Sequence, residues 1–189
     1  MKKLTLIIFG IFAMTLISCE IESIEDTTLK NEDSKSNIEL SVDLENLGEA
    51  CVTVNLIAGQ HHVAGDITVY NDGENLIIVY TTNDDWTIDL THLSIGNCNE
   101  DWVPLTGSGN PKVGRFEYTD PYSVSDHEVV YVIPLADLNN NYCFAAHAEV
   151  QGPTGGETAW GEGPAFSGNS WAMFVEALLS DCDGGNPAY

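Results

Sequence analysis

From Cys51 onward the chain alternates apolar and polar residues with a period of two, and this pattern most limits the folds it can adopt. The alternation is clear in residues 51–57 (CVTVNLI) and 66–71 (DITVYN), and residues 76–82 (LIIVYTT) are rich in β-branched side chains. Successive side chains of a β-strand point to opposite faces, so this spacing predicts half-buried strands. No helical period competes with it in the middle of the chain. The pattern predicts an all-β domain.

The most specific local signal is the dipeptide Asp72-Gly73, which stands between the second and third of these runs. It predicts a tight hairpin, because a type I′ turn needs positive φ at both central residues and Asp-Gly is a pair that accepts it. Four further strands are predicted, at residues 87–95, 116–118, 128–135 and 142–150. Their spacing, and the Gly, Asn, Asp and Pro between them, predict one antiparallel β-sandwich of immunoglobulin-like or jelly-roll type.

The start of the chain has the pattern of a secretory signal peptide. Two lysines precede an apolar stretch, residues 4–17, that is too short to span a bilayer as a permanent helix. Residues 16–19 (LISC) resemble the lipobox of bacterial lipoproteins. The resemblance implies that residues 1–18 are removed and that Cys19 becomes a triacylated, palmitate-bearing N-terminus. It also implies a protein anchored by lipid in the cell envelope, in the outer membrane and exposed at the surface.

Residues 19–45 are acidic and polar, and their few apolar residues are too sparse to build a core. We interpret them as a flexible tether, which leaves residues 46–189 as one β-sandwich domain. The chain has a net charge of −23, and loss of the two signal-peptide lysines leaves four basic against 29 acidic side chains, or −25. Such a charge repels phosphate backbones, so nucleic acid is excluded as a partner. We attribute the charge to solubility, with attraction of divalent cations as the alternative.

Four cysteines remain when the lipid-bearing one is set aside. An even number of them in an exported protein predicts two disulfides. Three connectivities are open on the sequence alone, and our prediction pairs Cys51 with Cys182 and Cys98 with Cys143. Because no pair has Cys-x-x-Cys spacing, a zinc site built from these thiols is not expected.

Four segments together resemble a family of secreted bacterial proteins with one all-β domain. They are residues 58–82 (AGQHHVAGDITVYNDGENLIIVYTT), 86–96 (WTIDLTHLSIG), 143–150 (CFAAHAEV) and 157–174 (ETAWGEGPAFSGNSWAMF). The last segment resembles the family's closing motif, in which TAWG is followed by Phe, Gly and a Trp-Ala pair. No activity is established for that family, so the resemblance implies a fold and no particular reaction.

Residues 171–179 fit two different structures. Apolar side chains recur there at helical spacing, whereas alternation would place Trp171, Met173 and Val175 on one face of a strand. The family resemblance favours a final strand, and we adopt that interpretation with the helix as the alternative.

Glu157 and Glu162 flank Trp160 and are candidate carboxylates of a glycan-active enzyme. Glycosidases use two carboxyl groups about 5 to 9.5 Å apart, with an aromatic ring beside the sugar. In a chain with 29 acidic residues such a pair arises without catalysis. We therefore interpret residues 155–173 as a fold-closing turn and terminal element, assign no catalytic residue, and keep the enzyme as an alternative hypothesis.

The histidines and the loop carboxylates are the candidate metal ligands. The five histidines could meet in space, but His61 and His62 are adjacent and would point to opposite faces of a strand. We interpret the histidines as surface residues. Calcium prefers carboxylate and carbonyl oxygens in loops, so Asp84 and Asp85 are the candidate calcium ligands. No other cofactor is expected.

The remaining candidates are aromatic. Trp86, Trp102 and Trp160 fall in or beside predicted turns, where a sandwich could present them to a ligand. With Glu157 and Glu162 they form the candidate ligand-binding set. The sequence therefore favours a non-catalytic binding or adhesion module whose ligand is a glycan or another envelope protein. A structural component that assembles through its sheet edges is the further alternative.

Overall fold

The computed structural model describes residues 47–121 and 125–182. The predicted signal peptide, Cys19 and the tether lie outside these residues. The all-β prediction is confirmed, since the regular secondary structure of the described residues consists of nine strands and short 3₁₀ helices. The strands are β1 (Val52–Ala58), β2 (His62–Asn71), β3 (Asn75–Thr82), β4 (Thr87–Asn97), β5 (Tyr118–Asp120), β6 (Glu128–Pro134), β7 (Asn141–Gly152), β8 (Gly155–Gly161) and β9 (Val175–Leu178). The 3₁₀ helices are Val113–Arg115, Leu135–Asp137 and Leu179–Cys182.

The strands form one antiparallel sheet in the order β5-β4-β7-β8-β1-β2-β3-β6, with β9 paired to β7. The two ends of this order come close together. Ile88 of β4 forms a bridge with Asp126, just before β6, and the Tyr131 hydroxyl of β6 lies 2.7 Å from Thr91 Oγ1 of β4. The sheet thus curls into a nearly closed, barrel-like sandwich.

One large apolar cluster, here called the inner core, fills the concave side of this sheet. It takes alternate residues from the strands, as the period-two pattern requires. On β3 these are Leu76, Ile78 and Tyr80, and on β7 they include Phe144 and Ala148. All five are fully buried.

The Asp72-Gly73 hairpin is confirmed, but the predicted turn type is wrong. Residues 72–74 form a three-residue loop between β2 and β3 in which Gly73 has a φ of 94° and Asp72 does not have a positive φ. Asp72 acts through its side chain, since its Oδ1 accepts hydrogen bonds from the N–H groups of Glu74 (2.9 Å) and Asn75 (2.7 Å). The Asp72 carboxylate therefore pairs with backbone N–H groups of the loop, which is how an Asp side chain commonly stabilises a turn.

Residues 155–173 were predicted to form a fold-closing turn and terminal element, and the structure differs from this prediction. Residues 155–161 form β8, which lies between β7 and β1 near the middle of the sheet order. A short turn with Gly155 at φ 97° makes this hairpin, and the glycines around it obscured the strand pattern. The strand interpretation of residues 171–179 is confirmed for β9, and a 3₁₀ helix follows it.

Both predicted disulfides are present. Cys51–Cys182 joins the residue before β1 to the last 3₁₀ helix, and Cys98–Cys143 joins the loop after β4 to β7. The first closes the domain from its first strand to its last described element. The second fastens the loop that follows β4 to the sheet. In the described part of the chain, no helix has the length and apolarity to cross a membrane.

Candidate functional site

A second apolar cluster, here called the outer cluster, covers the convex face of β4, β7 and β8. Two loops supply most of it, residues 98–117 and 162–174. Its buried members are Phe116, Ala145, Trp160, Phe166 and Ala172. The loops are joined to each other by Asn110, whose Oδ1 accepts a hydrogen bond from the Ser170 N–H (2.9 Å). The sheet thus carries a layer on its outside that strand alternation alone does not explain.

A row of three side chains crosses the sheet beneath these loops. His92 of β4 pairs with His147 of β7, and His147 pairs with Trp160 of β8. The two histidine Nδ1 atoms lie 3.3 Å apart, and the ring centroids of His147 and Trp160 are 4.9 Å apart in an edge-on contact. One imidazole must donate and the other accept in this contact.

Burial keeps these imidazoles neutral at physiological pH. Desolvation, reinforced by the neighbouring His92, lowers the pKa of His147 to about 3. Desolvation also lowers the pKa of His92, while the charge of Glu149 opposes that shift. The interpretation of the histidines as surface residues is therefore wrong for His147, which is buried because the loops close over it.

Two of the three candidate tryptophans do not present their rings to solvent. Trp160 is 4% exposed under Phe116, and Trp86 is 5% exposed in the inner core. Burial on this scale removes the ring face that a sugar would stack on, so neither serves as the open platform that the sequence suggested. Trp102 is only partly buried and lies beside open space.

That space is a hollow of about 530 Å³ on the outside of the barrel, here called the Trp102 hollow. Its wall combines one indole ring with apolar residues, two carboxylates, a hydroxyl and a guanidinium. The lining residues are Ser94, Asp101, Trp102, Val103, Pro104, Leu105, Arg115 and Glu117. It is broad and open, so it suits a ligand that lies across a surface.

Local structure explains how the hollow is formed. Ser94 Oγ donates a hydrogen bond to the Trp102 carbonyl (2.8 Å). Gly96 leaves room for this loop, since a Cβ there would lie 2.8 Å from the Trp102 Cβ. The indole packs on Phe166 and Phe174 of the second loop, with ring centroids 6.1 and 5.9 Å away. Phe166 and Phe174 thus hold the Trp102 ring in place, while part of its surface stays accessible to solvent.

Two of the three charged groups of the hollow come from the chain on either side of a buried anchor. Phe116 inserts into the outer cluster next to Trp160, whereas Arg115 and Glu117 on each side of it are exposed. Arg115 is the only arginine in the chain. A guanidinium offers a planar fork of donors, and the carboxylates of Asp101 and Glu117 offer acceptors.

The two candidate glutamates do not form a catalytic pair. Both belong to or follow β8, and five residues of extended strand separate them by about 16 Å. The odd spacing also directs them to opposite faces. Glu157 packs against Gly59, and Glu162 accepts a hydrogen bond from Asn55 Nδ2 (2.6 Å). This geometry does not meet the carboxyl separation of a glycosidase.

The metal candidates are dispersed. His61, His62 and His127 are exposed and lie away from the His92–His147 pair along the chain and the sheet. Asp84 and Asp85 are exposed in the loop between β3 and β4. Across residues 47–121 and 125–182, no group of three or more His, Cys, Asp or Glu side chains is placed to hold a metal ion.

The β6 edge of the sheet has features that disfavour self-assembly. β6 ends the sheet order, but it begins with Glu128 and ends with Pro134. Charges and proline are features that discourage edge-to-edge pairing. The interactions of Ile88 and Thr91 across the gap further occupy this side of the barrel.

The sequence identified Trp102 as a candidate ligand-binding residue but did not identify the charged residues of the hollow. Asp101, Arg115 and Glu117 lie in two loop segments that meet only after folding. One signal was available, because a single arginine in a strongly acidic chain stands out.

The chain was compared with protein families, curated proteins and solved structures. No family model, no curated protein and no solved structure matches this chain.

Proposed function

We propose that this protein is a lipid-anchored binding module of the cell envelope that holds a glycan in the Trp102 hollow without catalysis. The observation that carries the proposal is the composition of the hollow, in which one partly exposed indole lies among a guanidinium and two carboxylates. Sugars present apolar ring faces and hydroxyl groups. An aromatic ring with a few convergent polar groups is the usual way that proteins bind such a ligand.

The charge of the chain supports the same ligand class. With a net charge of −23, or −25 once the signal peptide is removed, the protein repels polyanions, which favours neutral or sparsely charged glycans. Arg115 can donate to hydroxyl oxygens while Asp101 and Glu117 accept from hydroxyl groups. This pattern of donors and acceptors needs no metal ion.

The location follows from the start of the sequence. The signal peptide, the lipobox ending at Cys19 and the acidic tether support an outer-membrane lipoprotein whose domain stands off the membrane. A module held there is suited to adhesion or to retaining envelope or extracellular glycans. Another envelope protein as ligand is the competing outcome of the test below.

The test is a glycan-array screen of the full chain in detergent, with the variants Arg115→Ala and Lys112→Ala side by side. These two residues are the only lysine and arginine beyond the predicted tether, and Lys112 does not line the hollow. We expect specific binding that Arg115→Ala weakens at least about tenfold and Lys112→Ala preserves. Equal binding by both variants would place the site elsewhere. If the correctly folded wild type binds no glycan, a glycan ligand is excluded and protein ligands should be tested next.

Glu117→Gln and Glu128→Gln form a second matched pair. Both carboxylates are exposed, but Glu117 lines the hollow and Glu128 lies at the start of β6. The proposal expects weaker binding only in Glu117→Gln. Hydrolysis of any array ligand would contradict the non-catalytic assignment.

A further inference from the structure

The wall of the Trp102 hollow continues beyond the indole ring as an apolar strip, which consists of Val103, Pro104 and Leu105. A sugar hydroxyl group gains nothing from contact with such a strip, because apolar atoms displace its water without replacing the hydrogen bonds. We propose that the hollow is specific for N-acetylated amino sugars and that the apolar strip holds their acetyl methyl group. This inference rests on the proposed glycan function and names the class of glycan.

Leu105 supplies the accessible part of the apolar strip. Its side chain is 38% exposed. Val63 and Leu178 are the other large apolar side chains that are exposed in the described part of the chain, and neither lines the hollow. A methyl group that covers Leu105 removes apolar surface from water on both partners, which favours binding.

The local backbone fixes the position of the strip. Residues 104–112 fold back on themselves, since Leu105 forms an isolated antiparallel bridge with Pro111. The N–H of Lys112 donates a hydrogen bond to the Pro104 carbonyl (2.8 Å). The strip therefore belongs to a hairpin-like loop with its own backbone hydrogen bonds, although no named strand includes it.

This hairpin-like loop also packs closely on the second loop of the outer cluster. Asn110 Oδ1 accepts the hydrogen bond from the Ser170 N–H, and Gly168 lies directly beside Asn110. A Cβ at Gly168 would lie 2.7 Å from the Asn110 backbone nitrogen, so only glycine allows this approach. Because the loop is fixed before the ligand arrives, little conformational entropy is lost on binding.

The charged residues of the hollow match the polar half of an acetamido group. The group has one N–H donor and one carbonyl acceptor. The Asp101 carboxylate can accept from the N–H, and the Arg115 guanidinium can donate to the carbonyl oxygen. Hydrogen bonds with one charged partner are stronger than neutral ones. The amide itself is uncharged, so the acidic protein does not repel it.

The test is calorimetry on the full chain in detergent with three matched oligosaccharides. They are oligomers of N-acetylglucosamine, glucose and glucosamine that have the same length and linkage and differ only in one ring substituent. We expect the acetylated oligomer to bind at least about tenfold more tightly than the glucose oligomer, because the methyl contact and the amide hydrogen bonds add. The glucosamine oligomer controls for charge, since its ammonium groups are attracted to an acidic protein.

Two leucine variants locate the methyl contact. Leu105→Ser and Leu178→Ser each shorten a leucine that is 38% exposed, but only Leu105 lines the hollow. We expect Leu105→Ser to lower the affinity for the acetylated oligomer at least about threefold and to leave the affinity for the glucose oligomer unchanged. Leu178→Ser should bind both oligomers as the wild type does.

The outcomes separate this inference from the glycan proposal. Equal binding of the acetylated and glucose oligomers, or tightest binding of the glucosamine oligomer, would overturn the acetamido specificity and leave a glycan site in the hollow. An equal loss of affinity for both oligomers in Leu105→Ser would do the same, because the leucine would then contact the sugar ring. If the folded wild type binds no glycan at all, both proposals fail.

Discussion

The inner core and the outer cluster are built from the same sheet by different rules. Inside the barrel, alternate strand residues pack on one another, and the polar groups are few and hydroxylic, as in the Tyr131–Thr91 pair. Outside it, two loops lay aromatic rings over a pair of histidines. The inner core defines the fold, while the outer cluster brings residues from distant loops together and so creates the chemically mixed surface of the Trp102 hollow. We expect the two layers to respond differently to substitution and to acid.

The largest effects are expected from the disulfides, one for each layer. The chain-entropy relation gives roughly 5 kcal/mol for Cys51–Cys182, whose cysteines are 131 residues apart, and roughly 4 kcal/mol for Cys98–Cys143, which are 45 apart. Cys51→Ser/Cys182→Ser should therefore destabilise more than Cys98→Ser/Cys143→Ser. Urea unfolding of the two double variants measures the difference. The reverse order would mean that attachment of the loop after β4 stabilises the domain more than the link from the start of β1 to the last 3₁₀ helix.

Truncating one phenylalanine in each layer gives the next largest effect. Phe144 is fully buried in the inner core, and Phe144→Ala should cost about 3–5 kcal/mol. Phe116 lies in the outer cluster, where loops can collapse into the space, so Phe116→Ala should cost less, about 1–3 kcal/mol. Chemical denaturation with both disulfides intact provides the comparison. Equal losses would show that the outer cluster is as tightly packed as the inner core.

Acid should loosen the outer cluster through His147. Its pKa is about 3 in the folded protein against 6.5 unperturbed, so between these values the unfolded chain binds the additional proton. Stability is therefore full above pH 6.5 and falls as the pH is lowered, by up to about 1.4 kcal/mol per pH unit. Unfolding curves at pH 7.5, 6 and 5 should show this slope in the wild type and in the control His61→Asn. His147→Asn should flatten it, and an unchanged slope in that variant would contradict the assignment.

The smallest effect concerns two tyrosines of the inner core. The Tyr142 hydroxyl is buried without a hydrogen-bond partner among the described residues, whereas the Tyr131 hydroxyl contacts Thr91. Tyr142→Phe should be neutral or stabilising by about 1 kcal/mol, because it removes an unsatisfied group, and Tyr131→Phe should destabilise by about 1 kcal/mol. Thermal unfolding of both variants tests this. A loss of stability in Tyr142→Phe would reveal a partner, such as a buried water molecule, for that hydroxyl.

The two layers also differ in how far the sequence predicts them. The inner core could be read from period-two alternation, and most of the predicted strands lie within a few residues of the observed ones. β5 is shifted from residues 116–118 to 118–120, because Phe116 is used to anchor the outer loop. β8 was missed, because the glycines around its turn suggested a loop through Trp160.

The candidate site was far less predictable. Its residues come from the loop after β4 and the segment before β5, and only tertiary contacts bring Trp102 and Arg115 together. The contact of His92 with His147 depends on the register of β4 and β7, which alternation does not determine. Trp160 resembled an open platform in the sequence, because nothing there shows that Phe116 covers it.

The most direct test of the central claim follows the four tryptophan indole N–H signals by NMR while the strongest array ligand is added. Ligand bound in the Trp102 hollow should shift the Trp102 signal strongly. The Trp86 and Trp160 signals should stay in place, because their rings are buried in the inner core and the outer cluster. Single Trp→Phe variants assign the four signals. A shift of Trp86 or Trp160 with Trp102 unmoved would contradict the account and move the binding site away from the hollow.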